Sequence, residues 1–148
     1  MLKLNKRVEY ALISLKFLAE CQADKLISAR EICDRFHLPF DPVAKVLQQM
    51  NSAEIVHAIK GVKGGYILKQ DLSTLSFMSL SRIIERQNGL NPCETHQGIC
   101  EHAIDCNIQA PVKNLNRMVH DYLEGLSIKD LLLTEKMNTL PTHSEAQL

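Results

Sequence analysis

The feature that most constrains the fold is a β-hairpin pattern directly after three helical patterns. Residues 55–59 (Ile-Val-His-Ala-Ile) and 66–68 (Tyr-Ile-Leu) are two short β-prone runs. The segment between them, Lys60-Gly-Val-Lys-Gly-Gly65, is basic and rich in glycine. Two such runs joined by a glycine-rich turn are typical of a β-hairpin.

Three helices are predicted before the hairpin. From Lys6 to Glu20, apolar residues recur at helical spacing and form one stripe. Ser28-Ala-Arg-Glu31 is a capping box, which predicts a second helix ending near His37. Asp41-Pro42 is typical of an N-cap and a first helical residue, so the third helix is expected to run to about Met50. Three helices and a hairpin predict a mainly α fold with a small β-hairpin wing, the winged helix-turn-helix order.

Two helical patterns and one segment without periodicity follow the hairpin. Residues 79–87 favour a helix, whereas residues 88–107 have no usable periodicity. A long helix is predicted after Pro111, and a short helix over residues 128–136 follows Ser127 as its cap. In the long helix, apolar residues are spaced 3, 4, 3 and 4 apart, as in a heptad pattern. Because one small domain could hardly cover this seam, we expect a homodimer that buries Val112, Leu115, Val119, Tyr122 and Leu126.

The composition fits a globular chain, with 45% hydrophobic and 23% charged residues among 148. No apolar run is as long as a membrane span, and no signal-peptide pattern opens the chain. Five cysteines without a secretory signal favour reduced thiols or a metal centre, so we expect a cytoplasmic protein with no membrane partner. The chain has no phosphate-binding glycine loop, nucleophile motif or paired catalytic carboxylates. We therefore expect neither an enzyme nor a small-molecule substrate.

The charge is unevenly distributed along the chain. Residues 1–70 carry a formal charge of +4 and residues 71–148 a charge of −4. A basic front half suggests that this half meets a polyanion.

Several polar residues of the front half are suited to DNA. The outer side of the third helix carries residues that can contact base edges in a major groove, namely Lys45, Gln48 and Gln49. Lys60 and Lys63 on the hairpin turn, and the helix N-terminus at Ser28 with Arg30, are suited to phosphate. Singly, each is consistent with a solvated surface. Their combined order predicts binding to double-stranded operator DNA.

Three cysteines of the non-periodic segment can converge on one soft metal centre. The pattern is Cys93-x6-Cys100-x5-Cys106, wider than the paired cysteines of structural zinc sites and unlike the common ferredoxin spacings. A metal or cluster is favoured over free or disulfide-prone thiols. A fourth ligand is missing from this loop unless His96 or His102 provides it.

Three segments resemble the IscR/NsrR/RirA family of winged-helix regulators. They are Leu4-Asn-Lys-Arg-Val-Glu-Tyr-Ala-Leu12, the hairpin Lys60–Leu68 and the three-cysteine loop, and the resemblance extends over about residues 1–136. It implies an iron–sulfur cluster, [2Fe–2S] favoured over [4Fe–4S], on the three loop cysteines. It also implies a homodimer built on the long helix, and a wing residue at Lys60 that probes the minor groove.

Two departures from the family concern the fourth ligand and the DNA site. IscR-like members have a His ligand where this chain has Gln109, and an acidic recognition-helix residue where it has Ala44. NsrR-like members take an acidic ligand from the first helix of the partner subunit, and the aligned residue here is Glu9. Glu9, His96 and His102 therefore remain the candidates.

The resemblance implies a repressor that senses cluster status, iron or oxidative stress and controls cluster-assembly or iron-homeostasis genes. A nitric-oxide-sensing repressor of the same family is the alternative, as is a cluster-free thiol or zinc switch on this fold. The predicted organisation is a DNA-binding domain over residues 1–87 and a cluster-binding loop over 88–107. The dimerisation helix and a short C-terminal helix follow over 108–137, and a disordered tail over 138–148.

Overall fold

The computed structural model describes residues 4–22, 24–86 and 106–134. Within these ranges the fold is mainly helical with one two-stranded antiparallel hairpin, which confirms the predicted fold class. The elements are α1 (Lys6–Glu20), α2 (Ala29–Phe36), α3 (Phe40–Ser52), β1 (Val56–Ile59), β2 (Gly65–Leu68), α4 (Phe77–Glu85), α5 (Gln109–Gly125) and α6 (Ile128–Leu133). No helix of these ranges is long and apolar enough to cross a membrane.

Helix α1 is the centre of the packing, because it contacts α3, α4, β2 and α6. Its buried stripe of Val8, Ala11, Leu15 and Leu18 is the one that the helical spacing predicts. The core around it is aliphatic, and its largest fully buried side chains outside α1 include Ile27, Ile32, Leu47, Met50, Ile55, Leu80, Ile84 and Ile128.

The wing is a β-hairpin, and a bridge to Ile27, just before α2, joins it to the helical part of the chain. Strands β1 and β2 pair from Val56 opposite Leu68 to Ile59 opposite Gly65. Beyond this hairpin, Ile27 forms a bridge with Tyr66, and the two residues exchange backbone hydrogen bonds of 3.1 and 2.8 Å. The wing is therefore fixed at its base, close to the start of α2.

The helix ends confirm some of the predicted caps and correct others. The capping box of Ser28 and Glu31 is present, and Ser127 caps α6. Helix α3 begins at Phe40 with Pro39 as its N-cap, so Asp41 is a residue of the first turn and not the cap. A proline in the first turn removes no hydrogen bond, since the first N–H groups of a helix have no partner within it.

The same reasoning applies to α5, which begins at Gln109, two residues before Pro111. Helix α4 also begins before the predicted residue, at Phe77 with Ser76 as its cap, and it ends at Glu85. Helix α6 ends at Leu133, a few residues earlier than predicted.

The C-terminal segment returns to the N-terminal part of the chain. The Leu126 carbonyl accepts from the Phe77 N–H at 2.8 Å, and the Ile128 N–H donates to the Leu75 carbonyl at 2.8 Å. Leu123 and Ile128 are buried in the same core as the residues of α1. Residues 88–105 of the predicted cluster loop and the predicted tail over 138–148 lie outside the described residues. The predicted domain boundaries stay predictions.

Candidate nucleic-acid interface

Three residues of α3 are predicted to face DNA, and the outer face of the helix exposes two of them. Lys45 and Gln48 are exposed, whereas Val43, Val46, Leu47 and Met50 point into the core, as predicted. Such a face can enter a major groove, because the groove is wide enough for one helix.

The prediction that Gln49 faces outward is wrong. Its side chain is half-buried and its amide oxygen accepts from Arg7 Nη2 at 2.7 Å. Its amide nitrogen donates to the carbonyls of Ile83 and Ile84, both at 3.2 Å. The last carbonyls of a helix have no partner within it, so the end of α4 attracts this donor. Gln49 therefore ties α3 to α1 and α4.

The turn of the wing carries its two lysines on the surface. Lys60 and Lys63 are both exposed, and Val62 between them is fully exposed. Gly61 has a φ of 125°, a conformation that an L side chain rarely adopts. The Gly64 N–H donates to the Gly61 carbonyl at 3.0 Å and closes the turn. The two lysines are thus presented on a closed, defined turn.

The N-terminus of α2 is already occupied by its own capping box. The Ser28 hydroxyl accepts from the Glu31 N–H at 3.1 Å, and the Ser28 N–H donates to the Glu31 carboxylate at 2.7 Å. This hydrogen bond lowers the pKa of Glu31. Arg30 is exposed, and its guanidinium carbon lies 5.5 Å from the ring centroid of Phe40. Ser28 thus stabilises the helix, and its contact with phosphate stays a prediction, as does that of Arg30.

A groove of about 600 Å³ runs beside the outer face of α3, and we call it the side groove. It is lined by Arg7, Lys45, Gln48, Gln49, Ser52, Ala53, Ile83 and Arg86. The sequence patterns did not point to Arg7 or Arg86 as DNA contacts, because Arg7 lies on α1, in a segment that carries only the family resemblance, and Arg86 follows α4. The basic charge of the first 70 residues is the one signal that pointed towards Arg7, whereas Arg86 lies in the half of the chain with a net negative charge.

Two of the four predicted metal ligands lie among the described residues. Cys106 is a half-buried free thiol just before α5, and its carbonyl accepts from the Gln109 N–H at 3.4 Å. Glu9 lies in the first turn of α1, where its carboxylate accepts from Lys6 Nζ at 2.7 Å and raises the pKa of Lys6.

The described ranges bring no three His, Cys, Asp or Glu side chains together as a metal site. The other predicted ligands, Cys93 and Cys100, lie outside these ranges, as do His96 and His102. Thiolate is a ligand that iron–sulfur clusters favour, so the donor chemistry of the three cysteines fits such a group.

The predicted dimer seam is divided between two sides of α5. Leu115 and Tyr122 are exposed, at 58% and 63%, together with Ile108 and Met118, which the heptad pattern did not include. Val112 is half-buried. Val119 and Leu126 pack against the core of their own chain, and Leu126 lies after the end of the helix. The seam shifts because α5 lies against α4 along one side.

The sequence model of the Rrf2 family, described as an iron-dependent transcriptional regulator, matches residues 4–134. The chain belongs to the Rrf2 family. It is a helix-turn-helix transcriptional regulator. This finding confirms the predicted family and the prediction that the protein is not an enzyme. DNA binding is a property of this class of regulators.

Two relatives agree with Rrf2 membership, and one solved structure has a similar fold. A candidate HTH-type transcriptional regulator of Aquifex aeolicus is 26% identical over 136 residues, covering 90% of this chain and 94% of the relative. The regulator NsrR of Shouchella clausii is 24% identical over 137 residues, covering 90% and 91%. The structure of CymR, the global cysteine regulator of B. subtilis, superposes with a TM-score of 0.67 at 20% identity, covering 89% and 97%. This structural likeness supports the fold.

Proposed function

We propose that this Rrf2-family chain is a homodimeric repressor whose affinity for operator DNA depends on an iron–sulfur cluster. The observation that carries the proposal is the exposed face of Lys45 and Gln48 on α3 beside a wing that exposes Lys60 and Lys63. Helix α3 would enter the major groove, where Gln can pair with adenine and Lys with guanine. The wing lysines would reach the adjacent backbone or minor groove.

The dimer would form through the exposed side of α5. Leu115, Met118 and Tyr122, with Ile108 before the helix, form an apolar stripe that is exposed among the described residues. A second copy related by a two-fold axis would cover it and place two recognition helices about one turn of DNA apart. Val112 lies at the edge of this stripe.

The cluster would be held by Cys93, Cys100 and Cys106, with Glu9 of the partner subunit as fourth ligand. A [2Fe–2S] cluster would supply an iron centre that oxidants can attack and that is not assembled when iron is short. A carboxylate is a poorer match to iron than a thiolate, so the site would exchange readily. Glu9 would have to leave Lys6 to serve as a ligand.

Described contacts connect α5, which follows Cys106, to the DNA-facing helix α3. Cys106 lies just before α5, and Arg82 of α4 contacts His120 of α5 at 2.7 Å and Glu124 at 3.4 Å. The end of α4 in turn holds Gln49 of α3. A change at the loop would therefore reach α3 through packed helices and hydrogen bonds.

The expected signal is cluster supply, iron or oxidative stress in the cytoplasm, and the expected targets are cluster-assembly or iron-homeostasis genes. The relation to NsrR supports nitric oxide as the second candidate signal. The fold shared with a cysteine regulator, together with the free Cys106 thiol, supports a cluster-free thiol or zinc switch as the third.

Purification without oxygen tests the proposal. The visible spectrum with iron and sulfide analysis is expected to give one cluster per chain, and removing the cluster is expected to change the affinity for operator DNA. Zinc without sulfide, or DNA binding that responds to thiol oxidation in the absence of iron, would favour the thiol or zinc switch. Equal DNA affinity with and without the cluster would contradict sensing through it.

A further inference from the structure

The side groove shares a wall with the DNA-facing side of α3. Lys45, Gln48 and Ser52 are spaced 3 and 4 apart, so they follow one line along that helix. The opposite wall belongs to other elements, with Arg7 from α1 and Arg86 at the end of α4. The groove is therefore formed where three helices meet beside the recognition surface.

The charge of the groove has one sign. Arg7, Lys45 and Arg86 line it, and none of its described lining residues is acidic. The Arg7 guanidinium is held by its 2.7 Å bond to Gln49 and keeps further N–H donors for a second acceptor. A cationic groove with fixed donors suits an oxyanion such as phosphate.

The geometry of a DNA duplex indicates which phosphate groups would reach the side groove. A helix with its side chains is about 10–12 Å across, and the major groove is about 12 Å wide, so a helix fills the groove. The phosphates on the groove rim must then lie beside the helix. On one side of α3 this position is the side groove.

We infer that the side groove binds the DNA backbone, with Arg7 and Arg86 as its phosphate contacts. The inference rests on the proposed DNA-binding function and adds a second contact surface, formed by α1 and α4. Contacts of this kind fix the register of a protein on DNA and are independent of base sequence.

The test is the salt dependence of DNA binding for Arg86→Gln and Arg7→Gln. The probes are a labelled duplex of mixed sequence and a duplex enriched from a random pool with the parent protein. Each variant is expected to bind both duplexes several-fold more weakly, with the slope of log Kd against log salt smaller by about one. Arg7→Lys is expected to restore most of the slope because it keeps the charge.

Two control variants separate the phosphate contact from other effects. Lys16→Gln removes one positive charge from the other end of α1, about 13 Å further along the helix, and should leave the slope as in the parent. Lys129→Gln removes one positive charge from an exposed residue of α6 that does not line the groove, so it too should keep the slope. Thermal melting of each variant checks that it folds.

A slope for Arg86→Gln and Arg7→Gln equal to that of Lys16→Gln would overturn the inference while leaving DNA binding intact. Failure of the parent to bind either duplex would instead overturn the proposed function and the inference with it. Inorganic phosphate, added at constant ionic strength, tests a free anion as the occupant. Its binding to the parent but not to Arg86→Gln, with an unchanged DNA slope, would assign the groove to that anion.

Discussion

At Gly65 the backbone of the wing passes close to the backbone of Ile27. A Cβ atom at this position would lie 2.8 Å from the carbonyl of Ile27. The strand cannot move away without losing the two backbone hydrogen bonds between Ile27 and Tyr66. Gly65→Ala is therefore expected to lower the free energy of unfolding by about 1–3 kcal/mol, the usual cost of overpacking. Urea denaturation measures this change.

Gly125 provides the matched control for this substitution. A Cβ atom there meets no atom within 4 Å, so Gly125→Ala should keep or raise stability. Equal stability of Gly65→Ala and the parent would contradict the close approach.

Glu31 is expected to make the free energy of unfolding fall as the solution becomes acidic. Its pKa is lowered by the hydrogen bond from the Ser28 N–H, so its contribution is present above its unfolded pKa. That contribution is lost as the pH falls through the lower pKa of the folded state. Between about pH 5 and pH 3, the parent is therefore expected to lose more stability than Glu31→Gln. Urea denaturation across this pH range checks the difference.

Ser28→Ala separates the two halves of the capping box. It removes the hydroxyl and costs about 1 kcal/mol, yet it keeps the backbone N–H that binds Glu31. The acid dependence should survive in Ser28→Ala. Its survival in Glu31→Gln as well would assign it to other groups.

At the scale of elements, the wing presents two lysines with different expected roles. Lys60→Ala should weaken operator binding by about 1–3 kcal/mol if Lys60 enters the minor groove. Lys63→Ala should mainly reduce the salt dependence, because it removes a backbone contact. Lys129→Ala on α6 is the control, and fluorescence anisotropy is the measurement. Parent-like binding by both wing variants would reject the wing as a contact.

Helix α5 has one side packed against its own core and one exposed apolar side, which is the proposed dimer interface. Leu115→Asp with Tyr122→Asp should give folded monomers that bind operator weakly, since both side chains are exposed within one chain. Val119→Asp should instead lower the stability of the chain itself, because Val119 packs against its core. Sedimentation velocity and thermal melting distinguish these outcomes.

Lys113→Asp is the matched control on α5. Lys113 is exposed and, at helical spacing, lies on the side opposite Leu115 and Tyr122. It should keep the parent's sedimentation coefficient. The same coefficient for the Leu115→Asp and Tyr122→Asp double variant would refute this interface.

At the scale of the whole molecule, the proposed fourth ligand decides whether the cluster joins the two subunits. Replacing Cys93, Cys100 or Cys106 by Ala should abolish stable cluster binding. Glu9→Ala should keep the fold but alter the visible spectrum or speed the loss of the cluster in air. The reason is that a ligand from the partner's first helix closes the site across the dimer.

His96→Ala and His102→Ala are the controls for Glu9→Ala. If either loses the cluster while Glu9→Ala keeps it normally, the ligands come from one chain. A mechanism in which cluster loss breaks a link between the subunits and changes the spacing of the recognition helices would then be excluded.

Local sequence patterns determined the order of the elements. The apolar stripe of α1, the capping box of α2, the Ser127 cap and the glycine-rich turn all predict structure from neighbouring residues. Each was found where it was expected, because helical periodicity and cap chemistry depend on residues a few positions apart.

Only the tertiary structure decided which side of each helix another element covers. Gln49 looks like an outer residue of α3, yet its partners Arg7 and Ile83 are 42 and 34 positions away in the sequence. Val119 belongs to the same heptad pattern as Tyr122, yet α4 lies against one side of α5 and separates their roles. Periodicity identifies an apolar or polar side, whereas the partner of that side depends on how distant helices pack together.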